Sequence, residues 1–249
     1  MSGIRSDPAP RYASLVRDGW HTEFMGSLEL DSQHRVLEVA AAPVKARERL
    51  MDVAEDLFGQ IGFEATSTRA IALRAGLTLG TVHYHFASKR HLFIEVFRRR
   101  GMPLAAERIR LLEEADRHWP DGNIPLSELI RRFNFPLFRA SLQPGGAAFA
   151  RLHARLTTEP PKLAEEVRSL IHNDVTPLYV AAFRHALPHL PEEALYWRFY
   201  FMLGVNTFSL LSSVRLEFLS GGLCSSDDLE LAMRHVVPFL EAGFRAPVP

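Results

Sequence analysis

Residues 45 to 100 constrain this chain more than any other stretch. They read as three short helices joined by tight turns, followed by the start of a fourth. Leu50, Val53, Ala54, Leu57, Phe58 and Ile61 recur at helical spacing. Gly62 stands where a left-handed C-cap is expected. Thr68 is placed to cap a second helix through Ile71, Ala72 and Ala75, which Gly76 stops. Thr78 caps a third that runs to about His85. Ser88 caps a fourth carrying Leu92, Phe93, Val96 and Phe97. Leu57, Phe58, Ile71, Val82 and Phe86 are assigned to the core.

The second and third helices, joined by Ala75-Gly76-Leu77, have the spacing of a helix-turn-helix. Gly76 gives the turn a positive φ without a Cβ penalty. The third helix is rich in residues able to touch DNA: Thr78, Leu79, Gly80, Thr81, His83, Tyr84 and His85. Gly80 lets backbone approach backbone, and the hydroxyls and imidazoles reach phosphates or base edges. Thr68 and Arg69 open the preceding helix on the same side. Lys89 opens the next, where its charge and the free N–H groups can both meet a phosphate.

In order, the stretch supplies Leu57-Phe58, Gly62-Phe63, Thr68, Ile71-Ala72, Ala75-Gly76-Leu77, Gly80-Thr81-Val82, Tyr84-His85-Phe86 and Ser88-Lys89-Arg90. This run resembles the TetR family of transcriptional regulators over about 45 residues. The chain departs at His83, where many members carry Tyr, which concerns that single contact. The resemblance implies an all-α protein. Residues 44–100 would form the three-helix DNA-binding domain and 101–249 a helical domain for effector binding and dimerisation. It implies a homodimeric repressor on a palindromic, double-stranded operator.

The neutral formal charge of the 249-residue chain offers no global argument for nucleic acid, but its distribution does. Residues 45–100 hold ten Lys and Arg against six Asp and Glu, a net +4 that leaves −4 elsewhere. Hydrophobic content of 47% with 23% charged residues is that of an ordinary soluble protein. Cys224 is the only cysteine, and there is no basic-then-apolar leader, so a reducing cytoplasm is expected. The most apolar run, Phe199 to Val214, is too short to span a bilayer.

Other chemistries find little footing. There is no Gly-x-Ser-x-Gly elbow, phosphate loop or dinucleotide fingerprint, so neither an enzyme nor a cofactor is expected. His185 and His189 are four apart, but Pro188 intervenes and no acidic third ligand is evident, so no metal is expected.

Residues 1–43 mix Pro, Gly, Ser and charges, with Pro43 closing the stretch. They read as a disordered or mobile arm. Translation from Met25 would leave the first 24 residues outside the protein. Beyond the head, breaks rich in Pro and Gly delimit helices near 103–118, 125–142, 146–157, 161–187, 192–219 and 226–243. Pro136 and Pro177 fall inside two of them and should kink them. The 192–219 helix is apolar nearly all round, so one face needs a partner, which a second copy can provide.

Trp197-Arg198, Phe201-Met202-Leu203-Gly204, Phe208-Ser209, Val237-Pro238-Phe239 and Ala242-Gly243 resemble a narrower group, the PsrA-like regulators. That resemblance implies a long-chain fatty acid or acyl-CoA as effector. Apolar candidates for its site are Phe135, Phe138, Phe149, Leu152, Leu156, Val175, Leu178, Tyr179 and Phe183, with His153, Asn173 or Asn206 as a polar anchor. A planar aromatic effector, and a ligand-binding protein of this fold that has lost operator binding, are the alternatives.

Overall fold

The computed structural model describes residues 37–211, 213–225 and 228–248, which form eleven helices and no strand. The expected N-terminal arm, apart from its last residues, and the start at Met25 lie outside the described residues.

The head begins with α1 (Leu37–Ala65), which runs through Pro43 rather than stopping at it. A proline there forfeits one backbone bond, to Val39, while Ala40 to Ala42 favour the helix. Gly62 has the expected positive φ of 84°, but its ψ of 173° is far from a left-handed cap. The helix kinks there, and Thr66 Oγ1 donates to the Gly62 carbonyl at 2.7 Å to close the last turn.

α2 (Thr68–Ala75) is capped by Ser67, whose Oγ accepts from the Ala70 N–H at 3.1 Å. The expected cap, Thr68, is instead the first helical residue, because the extended backbone falls at Ser67 (φ −106°, ψ 147°). Gly76 is left-handed (φ 64°, ψ 35°), and Leu77 N–H reaches back to the Ala72 carbonyl. α3 (Leu79–His85) is capped by Thr78 and α4 (Lys89–His118) by Ser88, as the sequence predicts.

α4 does not stop near residue 100. It is one 30-residue helix through Gly101 and Pro103. The proline loses the bond to Arg99, a penalty of about 3 kcal/mol. Against this, the buried stripe Val96, Phe97, Gly101, Leu104, Ala105, Arg108 continues across it unbroken. Gly101 allows the crossing with α7 (Pro161–His172): a Cβ there would lie 2.4 Å from Ile171 Cγ2.

The body adds α5 (Leu126–Leu142), α6 (Gly146–Arg155), α8 (Val175–Ala186), α9 (Glu192–Leu211), α10 (Ser213–Ser220) and α11 (Leu229–Arg245). The single helix expected over 161–187 is two, broken at Asn173–Asp174. Pro177 is therefore the third residue of α8, where its missing N–H has no helical partner to lose, and it kinks nothing. The helix expected over 192–219 is likewise divided into α9 and α10.

Two apolar cores result. The first joins the head (Leu50, Phe58, Ile71, Val82, Phe93, Phe97) to Leu104, Leu137, Phe149, Leu152, Leu156 and Ile171 of the body. The second gathers Ala105, Leu112, Phe133, Val175, Tyr179, Phe183, Phe199 and Phe244. Their border crosses α4 between Leu104 and Ala105.

Candidate functional site

The outer surface of the helix-turn-helix is made by α3 and the start of α2. Val82 turns inward and is buried, while Thr78, Leu79, Gly80, His83 and Tyr84 are exposed, Tyr84 to 80%. Thr81 and His85 are half-buried at its edges. Thr81 N–H donates to Thr78 Oγ1, and the two hydroxyls lie 2.9 Å apart, so both threonines are ordered. On α2, Thr68 is half-buried and Arg69 exposed, with no ion-pair partner among the described residues.

Lys89 is occupied from within. Its Nζ donates to the carbonyls of Phe63 (2.9 Å) and Glu64 (3.4 Å), and lies 4.2 Å from the Phe63 ring centre. It thus fastens the end of α1 to the start of α4. Lys45 and Arg49, exposed and one turn apart on α1, were not singled out in the sequence. Arg49 reaches the helix-turn-helix turn, its Nη2 3.3 Å from where a Gly76 Cβ would stand. Their i, i+4 spacing at the front of the head was the available signal.

The body grips the head at the same kink. Glu159 accepts from Phe63 N–H through both oxygens (3.1 and 3.2 Å). Arg155 donates to the carbonyls of Gly59 (2.8 Å) and Gln60 (2.6 Å). Sequence reasoning missed both residues. They lie next to the Pro160-Pro161 break, and only the fold brings them to α1.

In the body the expected effector residues do not form one lining. Phe149, Leu152 and Leu156 belong to the head-side core, and Val175, Leu178, Tyr179 and Phe183 to the other. Phe138 is buried, whereas Phe135 is half-exposed between the guanidiniums of Arg131 and Arg139. Asn173 caps α7 and Asn206 lies buried on the inner stripe of α9 with Leu195, Phe199 and Met202.

Polar groups collect where the two cores meet. Arg108 is buried to 2% exposure, its Nε donating to the Phe133 carbonyl at 2.8 Å and its guanidinium 4.2 Å from the Phe133 ring centre. Burial lowers its pKa to about 10. Burial, with the positive charge of Arg108, holds His153 near about 4 and His172 near about 3. The two imidazoles meet edge to face, 6.1 Å between centres. Burial likewise pushes the Tyr179 phenol up, and its hydroxyl donates to the Arg108 carbonyl at 2.9 Å. Sequence reasoning offered His153, but not His172, as a polar anchor, and missed Arg108 and Asn134. Arg108 interrupts the apolar stripe Leu104, Leu112, Ala115, and Asn134 interrupts the stripe Ile130, Phe133, Leu137, which was the signal.

A helix-turn-helix with an exposed third helix, set on an all-helical body through one long shared helix, is the architecture of a DNA-binding regulator with a second, helical domain. The comparisons agree. The family model for bacterial regulatory proteins of the tetR family matches residues 50–96, and that for the tetracyclin repressor-like C-terminal domain matches residues 131–243. Together they cover more than half of the chain, which belongs to the TetR family of transcriptional regulators, DNA-binding factors rather than enzymes.

Similar curated proteins include the transcriptional regulator AcrR of Shigella flexneri, 42% identical over 53 residues, which is 21% of this chain and 25% of AcrR. The repressor KstR2 of Mycolicibacterium smegmatis is 34% identical over 61 residues, 24% of this chain and 30% of KstR2. The chain thus spans between a quarter and a third of the length of these relatives. Among solved structures, NalD, the secondary repressor of the MexAB-OprM multidrug efflux pump in Pseudomonas aeruginosa, shares the fold at 20% identity. Its TM-score is 0.53, with 81% of this chain and 97% of NalD covered. The SmeT–triclosan complex does so at 16% identity and a TM-score of 0.51, with 82% and 99% covered. Among the described residues no helix is long and apolar enough to cross a membrane.

Proposed function

We propose that this chain is a repressor that occupies a palindromic operator as a homodimer and is released by a small, largely apolar effector such as a long-chain fatty acid or acyl-CoA. The observation that carries the DNA reading is the outer surface of α3. Gly80 illustrates it: a Cβ there would meet nothing nearer than Thr78 Oγ1 at 3.6 Å. Among the described residues nothing requires a glycine at that point, whereas close approach of a DNA backbone would. His83 and Tyr84 then face the major groove with Thr78, Leu79 and Thr81, and His85 flanks them. Thr68 and Arg69 face phosphate, and the N–H groups opening α4 at Lys89 meet the next one.

The dimer reading rests on α9. Tyr196, Trp197, Tyr200, Phe201 and Phe208 all stand more than half exposed on its outer side. An aromatic row of that size on a water-facing helix is what an isologous helix interface covers. Two heads joined there must set their reading helices roughly 34 Å apart to meet successive major grooves. The acyl reading rests on the resemblance of the C-terminal half to PsrA-like regulators and on the apolar cores of the body.

A gel-shift with the DNA upstream of the chain's own gene tests the regulator reading, and light scattering tests the dimer. Retarded DNA and a dimer mass at micromolar concentration are expected. A stable monomer, or no retardation of any upstream fragment, would defeat it.

A further inference from the structure

We infer that the body carries a carboxylate receptor centred on the Arg108 guanidinium, and that the effector is an amphipathic organic anion whose acid head reaches it between the two apolar cores. The inference rests on reading the body as an effector domain, and names the chemistry it selects.

A guanidinium has five N–H donors. In Arg108 one of them, Nε, is bonded to the Phe133 carbonyl. The four terminal donors have no acceptor, and the charge no carboxylate within 4 Å, among the described residues. The adjacent acid, Glu107, is turned outward to Arg110 and Arg139. A buried, unpaired cation is among the most expensive arrangements a fold can hold, and one planar carboxylate would satisfy it through two parallel bonds.

The surroundings fit a ligand rather than a missing protein partner. Both ring nitrogens of His153, Oδ1 of Asn134, and both polar side-chain atoms of Asn206 are buried without a hydrogen-bond partner. His153 and His172 stay neutral at physiological pH, so they add no competing charge and can donate or accept as a guest requires. Arg108, His153 and His172 come together from α4, α6 and α7: the Arg108 charge acts on both imidazoles, which meet each other edge to face. They stand at the border of the two apolar cores, and the apolar remainder of the ligand would have to part that border to lie there.

The location also explains coupling. α6, which carries His153, ends in Arg155, and Arg155 holds the end of α1 in the head. A ligand that shifts α6 against α4 moves that grip directly, and it releases DNA by as much as it prefers the shifted state.

The test uses the full chain and two matched pairs: dodecanoate with dodecanol, and 2-naphthoate with 2-naphthol. Dodecanoyl-CoA is the fifth probe. Binding is followed by calorimetry or dye displacement. In at least one pair the acid should bind about 30-fold or more tightly than its hydroxyl analogue, the scale of a charge-assisted bidentate bond. Arg108→Met should erase that preference while leaving the affinity for the hydroxyl analogue within about threefold, which also shows that the variant is folded. Should Arg108→Met fail to fold, the wild-type pairs and Arg108→Lys still decide, since Lys keeps the charge but loses the fork and should retain only part of the preference.

Equal affinity within both pairs overturns the inference, as does no binding of any probe at millimolar concentration. So does a CoA ester that binds more tightly than its acid, or an acid preference that survives Arg108→Met. Operator binding is scored separately. An acid preference in a protein that retards no DNA would defeat the repressor reading and leave the receptor standing. Retardation without acid preference would do the reverse.

Discussion

Two buried charges, one in the head and one in the body, are treated in opposite ways. Glu55 on α1 is 2% exposed and lies between Arg99 (2.5 Å) and Arg100 (3.1 Å) of α4. Arg108, on the same α4 two to three turns further on, is equally buried and makes no ion pair among the described residues, its neighbour Glu107 being turned to Arg110 and Arg139. The first charge is closed: each partner neutralises the other and the pair locks α1 to α4. The second is open, beside His153, whose ring nitrogens are buried and also unpartnered. The head thus pairs its buried acid, whereas the buried Arg108 is left for the acid head group we infer.

The sharpest way to break this contrast is to remove both charges in turn. Glu55→Ala takes the buried acid from Arg100, and from Arg99 one of the three acids it shares with Glu48 and Asp52, and should lower unfolding stability by about 3 kcal/mol, read from urea unfolding. Arg108→Met removes an unpaired buried charge and fills the space with apolar atoms. Its stability in the absence of ligand should change by less than about 1 kcal/mol, or rise. A loss as large as that of Glu55→Ala would make Arg108 a structural residue and end the distinction.

A second effect follows from the imidazoles beside Arg108. Burial, with Arg108 as the next cause, sets His153 at about 4 and His172 at about 3, below the ordinary 6.5. The unfolded chain therefore takes up protons that the folded body refuses. Stability is complete above pH 6.5 and declines as pH falls toward those values, by up to about 1.4 kcal/mol per pH unit for each histidine. Arg168 adds to the repulsion at His172. His153→Gln with His172→Gln should flatten the limb between pH 6.5 and about 4 relative to wild type. An unchanged limb would mean that the acids, not these imidazoles, govern acid unfolding.

The same contrast explains what could be read from the sequence. The head is specified by local chemistry. Thr78, Ser88 and Gly76 announce two caps and a turn, and all three act as expected. Where local signals compete the reading slips: Ser67 and Thr68 are adjacent hydroxyls, and the extended backbone chose the first. In the body, breaks carrying Gly or Pro were legible, but the break at Asn173–Asp174 has neither. A separate helix was expected from about residue 103, yet long-range burial of Phe97, Leu104 and Arg108 carries α4 through Pro103 without a break. The polar cluster was half legible. Arg108 and Asn134 stand out as polar residues in apolar stripes, but only the packing of several helices brings Arg108 to His153 and His172.

The misplaced cap is itself a measurable difference. Ser67→Ala removes the acceptor of the Ala70 N–H and should lose about 1 kcal/mol of stability. Thr68→Ala, already inside the helix, should change stability by no more than a few tenths of a kcal/mol. Equal losses would return the cap to Thr68. Both variants should leave the acid preference of the body unchanged, since neither residue approaches Arg108.

The smallest stability effect belongs to the residue with the largest consequence at the DNA surface. Gly80 is exposed within α3, with φ outside the left-handed region and no neighbour that a Cβ would strike. Alanine is a better helix former than glycine by about 0.5–1 kcal/mol. Gly80→Ala should therefore leave the protein as stable as wild type or slightly more so. The added methyl nevertheless stands on the exposed face between Leu79 and His83, where a DNA backbone has to come closest. Operator affinity should fall by tenfold or more, roughly 1.4 kcal/mol, while the acid preference of the body is untouched. The body offers the control in Gly101. There a Cβ would strike Ile171, so alanine should destabilise the fold by about 1–3 kcal/mol. On the proposed docking, one glycine serves a neighbour inside the chain and the other a neighbour outside it. If Gly80→Ala binds the operator as wild type does, α3 does not approach DNA through this face, and the docking of the head must be redrawn around Arg49 and Arg69.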